Sequence, residues 1–179
     1  MSSPSSSQIF SSQIFIVGFM ACGKSTVGPL LAERLQRPFI DLDVLIEAQV
    51  GCSIFELVRE QGEMPFRELE AAMLQRVAQA EPAVIAPGGG AIMRDENRRV
   101  MQSHGVTLWL ATPFEVCWQR IAADGTTRPL APDEATARAR YAQRLPLYQA
   151  SDLRVTVQAA DAASAIAVTA ASLIEQFHR

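Results

Sequence analysis

Short apolar runs alternate along the chain with longer stretches in which apolar residues recur at helical spacing. The runs fall at 14–17, 39–41, 83–86, 106–110 and 153–157. The helical stretches begin near 24, 65, 95, 113, 135 and 162. Strand-sized apolar runs separated by helices are typical of βαβ units, so the pattern predicts an α/β fold with a mainly parallel sheet and helices on both faces.

The first apolar run ends in the loop GFMACGKS at 18–25, which matches the phosphate-binding pattern GxxxxGKS/T in full. A strand, a glycine loop and a helix start aim several backbone N–H groups at one point, which suits a polyphosphate. We expect the loop to bind a nucleoside triphosphate, with Lys24 reaching the β- and γ-phosphates and Ser25 giving its hydroxyl to Mg²⁺. The other candidate nucleotide-binding residues are Gly18, Ala21, Cys22, Gly23 and Thr26. The alternative is a chance glycine-rich turn.

Two acidic residues follow the second apolar run. P-loop enzymes usually take a carboxylate from a strand end to hold Mg²⁺ through water, but the third run ends in Pro87 and glycines without an acid. Asp41 and Asp43 are therefore the candidates for this role. The alternative is that both are solvated helix-cap residues.

Three further features suggest a second ligand. Arg67 and Glu70 share one helical face, so the carboxylate can orient the guanidinium, although an exposed ion pair is the favoured interpretation when the pair is considered alone. The glycines at 88–90 let a ligand approach the backbone closely. Residues 122–134 show no helical or strand period and carry Arg128, which predicts a closing lid; a plain surface loop is the alternative.

Length and charge limit the remaining possibilities. A length of 179 residues suits a single domain over 13–179, preceded by a flexible serine-rich tail over 1–12. A net charge of -3 disfavours nucleic acid as a partner, and no apolar run approaches the about 18 residues that span a membrane. Three widely spaced cysteines suit a reducing, cytoplasmic location. We also expect the protein to be a monomer.

Five motifs together resemble the shikimate kinases. They are GFMACGKSTVG, FIDLDVLIE, GEMPFRELE, PGGG, and TRPLA followed by RLPLY, in this order. The resemblance implies a three-layer P-loop kinase fold, related to the nucleoside monophosphate kinases, with a five-stranded parallel sheet of order 2-3-1-4-5 and a mobile lid. It also implies a shikimate-binding segment over about 41–70.

The activity implied by this resemblance is transfer of the γ-phosphate of ATP to the 3-hydroxyl of shikimate, in the chorismate pathway. The expected small-molecule ligands are ATP, shikimate and one Mg²⁺ ion. On the nucleotide side, the resemblance implies that Asp41 holds Mg²⁺ through water, that Arg120 packs on adenine and that Arg128 contacts the transferred phosphate.

On the acceptor side, the resemblance implies that Asp43 orients or deprotonates the attacking hydroxyl. Arg67 and Arg144 would bind the shikimate carboxylate, with Glu70 orienting Arg67. The backbone of Gly88, Gly89 and Gly90 would meet the ring hydroxyls.

The chain departs from the family pattern in the P-loop and before the glycines. Family members usually have glycine and a small residue where this chain has Ala21 and Cys22, and we expect a negative φ at Ala21 because an alanine disfavours positive values. A thiol beside Lys24 at a helix start is typical of a reactive cysteine; the alternative is a small side chain that fills a small space. Pro87 replaces a hydroxyl residue, which removes a side-chain partner near the metal site, and Pro65 replaces an aromatic one.

Two other functions compete with the kinase of shikimate. Another small-metabolite kinase, such as a gluconate kinase, shares the P-loop and lid. An uncharged polyol substrate would not explain two arginines as well, however, and this chain lacks the histidine that such enzymes usually carry shortly after the paired acids. A nucleotide-binding switch without catalytic activity is the non-enzyme alternative, and the combination of Lys24, Ser25, Asp43 and Arg128 disfavours it.

Overall fold

The computed structural model describes residues 12–124 and 132–177. Within them, the strands are β1 (Gln13–Val17), β2 (Phe39–Asp41), β3 (Val84–Ala86), β4 (Gly105–Ala111) and β5 (Leu153–Thr156). All neighbouring pairs are parallel, and the order across the sheet is β2-β3-β1-β4-β5. The predicted five-stranded parallel sheet and its order 2-3-1-4-5 are confirmed.

Helices connect and cover these strands. They are α1 (Lys24–Arg34), α2 (Leu42–Val50), α3 (Ile54–Gln61), α4 (Glu63–Ala78), α5 (Asp95–His104), α6 (Phe114–Asp124), α7 (Glu134–Gln149) and α8 (Ala163–Phe177), with a 3₁₀ turn at Ala91–Met93. None of the described helices is both long and apolar enough to cross a membrane.

β1 lies at the centre of the sheet and determines where a ligand can bind. All five of its residues are buried, because β3 and β4 flank it and helices cover both faces. The chain passes from β1 to one side of the sheet and returns at β4 on the other side. In such sheets ligands bind outside the carboxyl ends of the strands, at the point where the strand order reverses. This point is the loop that follows Val17.

Several element boundaries differ from the predictions. α7 was expected over 135–143, but it continues to Gln149 with Pro146 inside it. Arg144 and Tyr148 on this helix are buried, so tertiary packing outweighs the helix-breaking tendency of the proline. Arg144 therefore lies within α7 rather than just beyond its C-terminal end. The apolar spacing of the C-terminal helix predicts docking on the sheet through Ile166, Leu173 and Phe177. Ile166 is buried, but Phe177 is 49% exposed.

The two segments outside the core fall largely beyond the described residues. Of the predicted tail over 1–12, only Ser12 is described, and its carbonyl accepts a hydrogen bond from Arg37 at 2.6 Å. The predicted lid over 122–134 begins too early, because residues 122–124 form the last turn of α6. Arg128 lies outside the described residues.

Gln13 ties the first strand to the end of α4. This buried side chain accepts a hydrogen bond from Ala83 N at 2.7 Å through its Oε1 atom. Its Nε2 group lies 3.0–3.3 Å from carbonyl oxygens at and beyond the C-terminus of α4, where helical carbonyls lack partners. These carbonyls belong to Val77, Ala78, Ala80 and Glu81.

Replacing Gln13 with leucine should destabilise the protein by about 2–3 kcal/mol. The change keeps side-chain size but leaves buried backbone groups without their partner, which costs the desolvation of those groups. Urea unfolding measures the difference. The exposed Gln119 offers a matched control, since Gln119→Leu should change stability by less than about 0.5 kcal/mol. Equal stabilities of the Gln13→Leu and Gln119→Leu variants would contradict the structural role of Gln13.

Candidate active site

The P-loop runs from β1 to α1 as the sequence predicts. Gly18 and Gly23 have φ values of 153° and 110°, which glycine adopts readily. The Lys24 ammonium group lies back across the loop and donates hydrogen bonds to the carbonyl oxygens of Gly18 at 3.1 Å and Phe19 at 3.2 Å. It also lies 3.9 Å from the Cys22 Sγ atom. A flexible lysine with these uncharged partners can turn towards an anion, which is a stronger partner.

The expectation of a negative φ at Ala21 is wrong. Its φ is +57°, in the left-handed region that alanine rarely occupies. The peptide that follows is held from outside the loop, because Nη1 of Arg120 on α6 donates to the Ala21 carbonyl oxygen at 3.1 Å. Surrounding contacts therefore impose a turn that the family pattern assigns to glycine.

Cys22 is buried beneath the loop. Only 1% of the residue is exposed, and a Cβ atom on Gly18 would lie 2.7 Å from the Cys22 Sγ atom. The thiol thus fills the space beside a glycine. This geometry favours the space-filling role over the reactive one, because a reagent has little access to the sulfur.

Two oxygen ligands meet at the mouth of the P-loop. The Ser25 hydroxyl donates to Oδ2 of Asp41 at 2.7 Å, while Oδ1 of Asp41 caps α2 by accepting from Asp43 N at 3.1 Å. Asp41 therefore has both roles that the sequence left open, a cap and a carboxylate beside Ser25. No cluster of three or more His, Cys, Asp or Glu side chains suited to a metal occurs among the described residues. Mg²⁺ at a nucleotide needs fewer, because phosphate oxygens and water complete its shell, and this pair of oxygens fits that ion.

Asp43 is the second residue of α2 and has an unsatisfied oxygen. Its Oδ1 atom is buried and has no hydrogen-bond partner in the described structure. Burial raises the pKa of this carboxyl group above its ordinary value, against the opposing charges of Lys24 and Arg67, while Asp41 and Glu47 add to the rise. A buried carboxylate with a free acceptor oxygen can take up a proton or bind a hydroxyl group.

Arg67 is held on both sides by carboxylates of its own helix. Its Nη1 donates to Oε2 of Glu70 at 2.8 Å, and its Nε and Nη2 donate to Oε1 of Glu63 at 3.2 and 3.0 Å. The Glu70 side chain is fully buried, so the interpretation as an exposed surface pair is wrong. Burial alone would lower the pKa of Arg67, but the two carboxylates raise it above its usual value.

Arg144 approaches the same region from α7. It is 3% exposed, its guanidinium lies 5.7 Å from the centre of the Phe19 ring, and its charge acts on both Arg67 and Glu70. Burial lowers the pKa of Arg144, and Arg67 lowers it further, while Tyr148 opposes the change through a hydrogen bond. Two buried guanidinium groups from different helices therefore face one region.

The three glycines make room for these charged groups. A Cβ atom on Gly88 would overlap Oε1 of Glu70 and lie 2.8 Å from Oδ1 of Asp43, and one on Gly90 would lie 2.5 Å from Nη2 of Arg67. Gly89 accepts a hydrogen bond from the Tyr148 hydroxyl through its carbonyl oxygen at 2.6 Å. The glycines are thus required by the site's own side chains as well as by a ligand.

A cavity of about 570 Å³ joins the P-loop to the two aspartates, and Arg67, Glu70 and Arg144 are not among the described residues that line it. Its wall includes the P-loop, both aspartates, Gly89 and Arg120, and Pro87 lines it at the end of β3. The wall also contains Asp124, Asp161, Ala163 and Ile166, which no sequence motif marks. Asp124 ends α6, whereas the other three reach the cavity because α8 packs against α1.

The supports of the two arginines were also missed. Glu63 precedes Arg67 by one helical turn, and Tyr148 follows Arg144 by one turn, so the i,i+4 spacing contained a signal for both. Phe19 carried no such signal, since its contact with Arg144 joins the P-loop to α7.

The ionisation of Glu70 predicts a specific pH dependence of stability. Burial raises its pKa from 4.5 to about 7 against the attraction of Arg67, so the folded protein binds this proton more tightly than the unfolded chain does. The resulting stabilisation is full below pH 4.5 and is lost as the pH rises through about 7. Compared with a Glu70→Gln variant, which cannot ionise there, the wild-type protein should lose on the order of 3 kcal/mol between pH 4.5 and 8.

Urea unfolding of both proteins at pH 5, 6, 7 and 8 measures this difference. A constant offset between wild type and Glu70→Gln over the whole range would show that Glu70 does not titrate there.

Comparisons with known proteins agree with this arrangement. Residues 20–175 match the family model for shikimate kinase. The shikimate kinase of Synechococcus sp. (strain JA-3-3Ab) is 41% identical over 157 residues, which cover 86% of this chain and 82% of that protein. The one of Salinibacter ruber is 46% identical over 129 residues, covering 72% of this chain and 63% of that protein.

Solved structures extend the comparison to the fold. Shikimate kinase from Acinetobacter baumannii, in complex with shikimate, superposes with a TM-score of 0.89 at 34% identity and covers 97% of this chain and 98% of that chain. A gluconokinase from Sinorhizobium meliloti superposes with a TM-score of 0.61 at 19% identity, covering 94% of each chain, a likeness that shows the fold alone. The family-model match and the identities over most of the chain show that this protein belongs to the shikimate kinase family.

Proposed function

We propose that the cavity between the P-loop and Asp43 is where this enzyme transfers the γ-phosphate of ATP to the 3-hydroxyl of shikimate, giving shikimate 3-phosphate and ADP. The observation that carries this assignment is the unpartnered Oδ1 atom of Asp43, which lies beside Gly88 and interacts with the charge of Lys24. A phosphoryl acceptor must present its hydroxyl between a carboxylate and the γ-phosphate. Asp43 would supply that carboxylate.

ATP binds along the P-loop in this proposal. The backbone N–H groups of the loop and the start of α1 bind the phosphates, and Lys24 leaves the carbonyl oxygens of the loop for the β- and γ-phosphates. Arg120 lies over Gly23, at 3.8 Å from the position of a Cβ atom there, and supports the adenine. Arg128, beyond the described residues, would contact the transferred phosphate.

One Mg²⁺ ion would be held by Ser25 directly and by Asp41 through water. When bound, the ion neutralises phosphate charge that develops during transfer. Ser25 and Asp41 supply oxygen ligands that already lie 2.7 Å apart. Pro87, in the cavity wall nearby, supplies no hydroxyl to this shell.

Asp43 would accept the hydrogen bond of the 3-hydroxyl and take its proton as the oxygen–phosphorus bond forms. Burial raises the pKa of Asp43, which makes the carboxylate a better base, and the positive charge of Lys24 helps keep it ionised before transfer. The proton moves from the substrate oxygen to Oδ1, the atom that has no other partner.

Arg67 and Arg144 would bind the shikimate carboxylate. Burial lowers the pKa of Arg144, and repulsion from Arg67 lowers it further. An anion between the two guanidinium groups would relieve that repulsion. Glu70 and Glu63 fix the orientation of Arg67 before the substrate arrives. The backbone of Gly88, Gly89 and Gly90 would meet the ring hydroxyls.

The remaining assignments follow the same scheme. We propose that residues 13–179 form one kinase domain with a shikimate-binding segment at about 41–70 and a lid that follows α6, within the range of about 122–134 that the sequence predicts. We further propose that it acts as a monomer without nucleic-acid or membrane partners. A cytoplasmic location is supported by its three cysteines, all of which are free thiols in the structure.

Replacing Asp43 with asparagine should reduce kcat by at least about 100-fold, because the amide keeps the shape of the side chain but cannot accept the proton. The dissociation constant for ATP should change by less than about threefold, since no ATP contact is lost. A coupled assay of ADP release and calorimetric titration measure the two quantities. Near-normal turnover would remove Asp43 from the chemistry.

Replacing either Arg67 or Arg144 with alanine should raise the KM for shikimate by roughly 30-fold or more and the KM for ATP by less than about threefold. Arg138→Ala is the matched control, because this exposed arginine lies on α7 and pairs with Glu134 and Glu115 instead. Steady-state kinetics with each substrate varied would test the assignment, and equal rises in both constants would refute it.

A further inference from the structure

Ala21 has a left-handed backbone conformation within the P-loop. Left-handed residues other than glycine persist only where neighbouring contacts impose them, and they concentrate at ligand-binding loops. At φ +57°, Ala21 lies in the middle of the loop whose N–H groups are to receive phosphate. A loop that relaxed to the ordinary α or β region at this residue would turn its following peptide away from that arrangement.

Contacts from α6 and the preceding segment hold the two peptides that follow this residue. Nη1 of Arg120 donates to the carbonyl oxygen of Ala21 at 3.1 Å. The buried hydroxyl of Thr112, just before α6, donates to the carbonyl oxygen of Cys22 at 2.9 Å. Both donors come from about 90 or more residues away in sequence, so neither bond forms until the sheet and α6 are in place.

We propose that Arg120 is a positioning residue for phosphate binding: its bond to the Ala21 carbonyl holds the left-handed turn, and thereby the P-loop, in the conformation that receives ATP. This role is additional to a contact with the base and rests on the proposed nucleotide site. It also couples the two ends of the nucleotide, because a base that packs on the guanidinium restricts the same group that holds the loop.

The chain itself offers a means to separate this role from simple charge attraction. Glycine occupies positive and negative φ about equally, whereas only a few per cent of other residues occupy positive values. In an Ala21→Gly background the left-handed turn therefore no longer needs the bond from Arg120. Charge attraction between Arg120 and phosphate is unaffected by that background.

The test is a double-mutant cycle with a ligand that has no base. Wild type, Ala21→Gly, Arg120→Met and the double variant are titrated by calorimetry with magnesium tripolyphosphate and with MgATP. Methionine keeps most of the apolar stem of arginine and removes its N–H donors. Arg34→Met is the matched control, because it removes one exposed positive charge at the opposite end of α1, about 15 Å from Lys24.

In the wild-type background, Arg120→Met should weaken tripolyphosphate binding by about five- to tenfold, and in the Ala21→Gly background by less than twofold. For MgATP, the loss of affinity caused by Arg120→Met should differ less between the two backgrounds, because the contact with the base is lost in both. Recovery of tripolyphosphate binding in the double variant also shows that this variant is folded.

Two results would overturn the proposal. Equal losses in both backgrounds would mean that Arg120 acts through charge alone, and no loss in either background would mean that it does not act on the loop. Failure of the proposed function is recognised separately, since wild type would then release no ADP in response to shikimate.

Discussion

The buried ion pair between Arg67 and Glu70 is the interaction on which the proposed acceptor site depends. A fully buried carboxylate is costly unless it is paired, and Glu70 is paired with an arginine that Glu63 holds from the other side. This arrangement places a rigid guanidinium group beside Arg144 at the end of β3. The same burial raises the pKa of Glu70 to about 7.

The rest of the site is shaped around that pair. Gly88 and Gly90 lack side chains where Glu70, Asp43 and Arg67 need the space, and the Tyr148 hydroxyl fixes the turn between them at Gly89. Asp43 consequently has one buried oxygen without a partner beside Gly88, and the charge of Lys24 acts on it. The oxygens of Ser25 and Asp41, which we propose as the Mg²⁺ site, form a separate group at the mouth of the P-loop.

Much of the fold and of the nucleotide side of the site could be predicted from the sequence, because apolar residues recur at strand and helix spacing and the motifs follow the strand ends. The sheet, the P-loop and the convergence of Asp41 and Asp43 on it are local consequences of such patterns. Three features could not be predicted. The burial of Glu70 depends on packing between distant elements, the length of α7 depends on the burial of Arg144 and Tyr148, and the positive φ of Ala21 depends on Arg120, 99 residues away. The part of the cavity wall that contains Asp161, Ala163 and Ile166 likewise forms only when α8 packs against α1.

The central claim is that two buried arginines recognise the acceptor by its carboxylate while Asp43 binds its hydroxyl. Calorimetric titration of the enzyme with shikimate and with its methyl ester tests this claim most directly, because the ester keeps every ring hydroxyl and loses only the negative charge. The account predicts that the ester binds at least about 30-fold more weakly, as expected for the loss of buried charged hydrogen bonds. Equal affinity for the acid and the ester would contradict it.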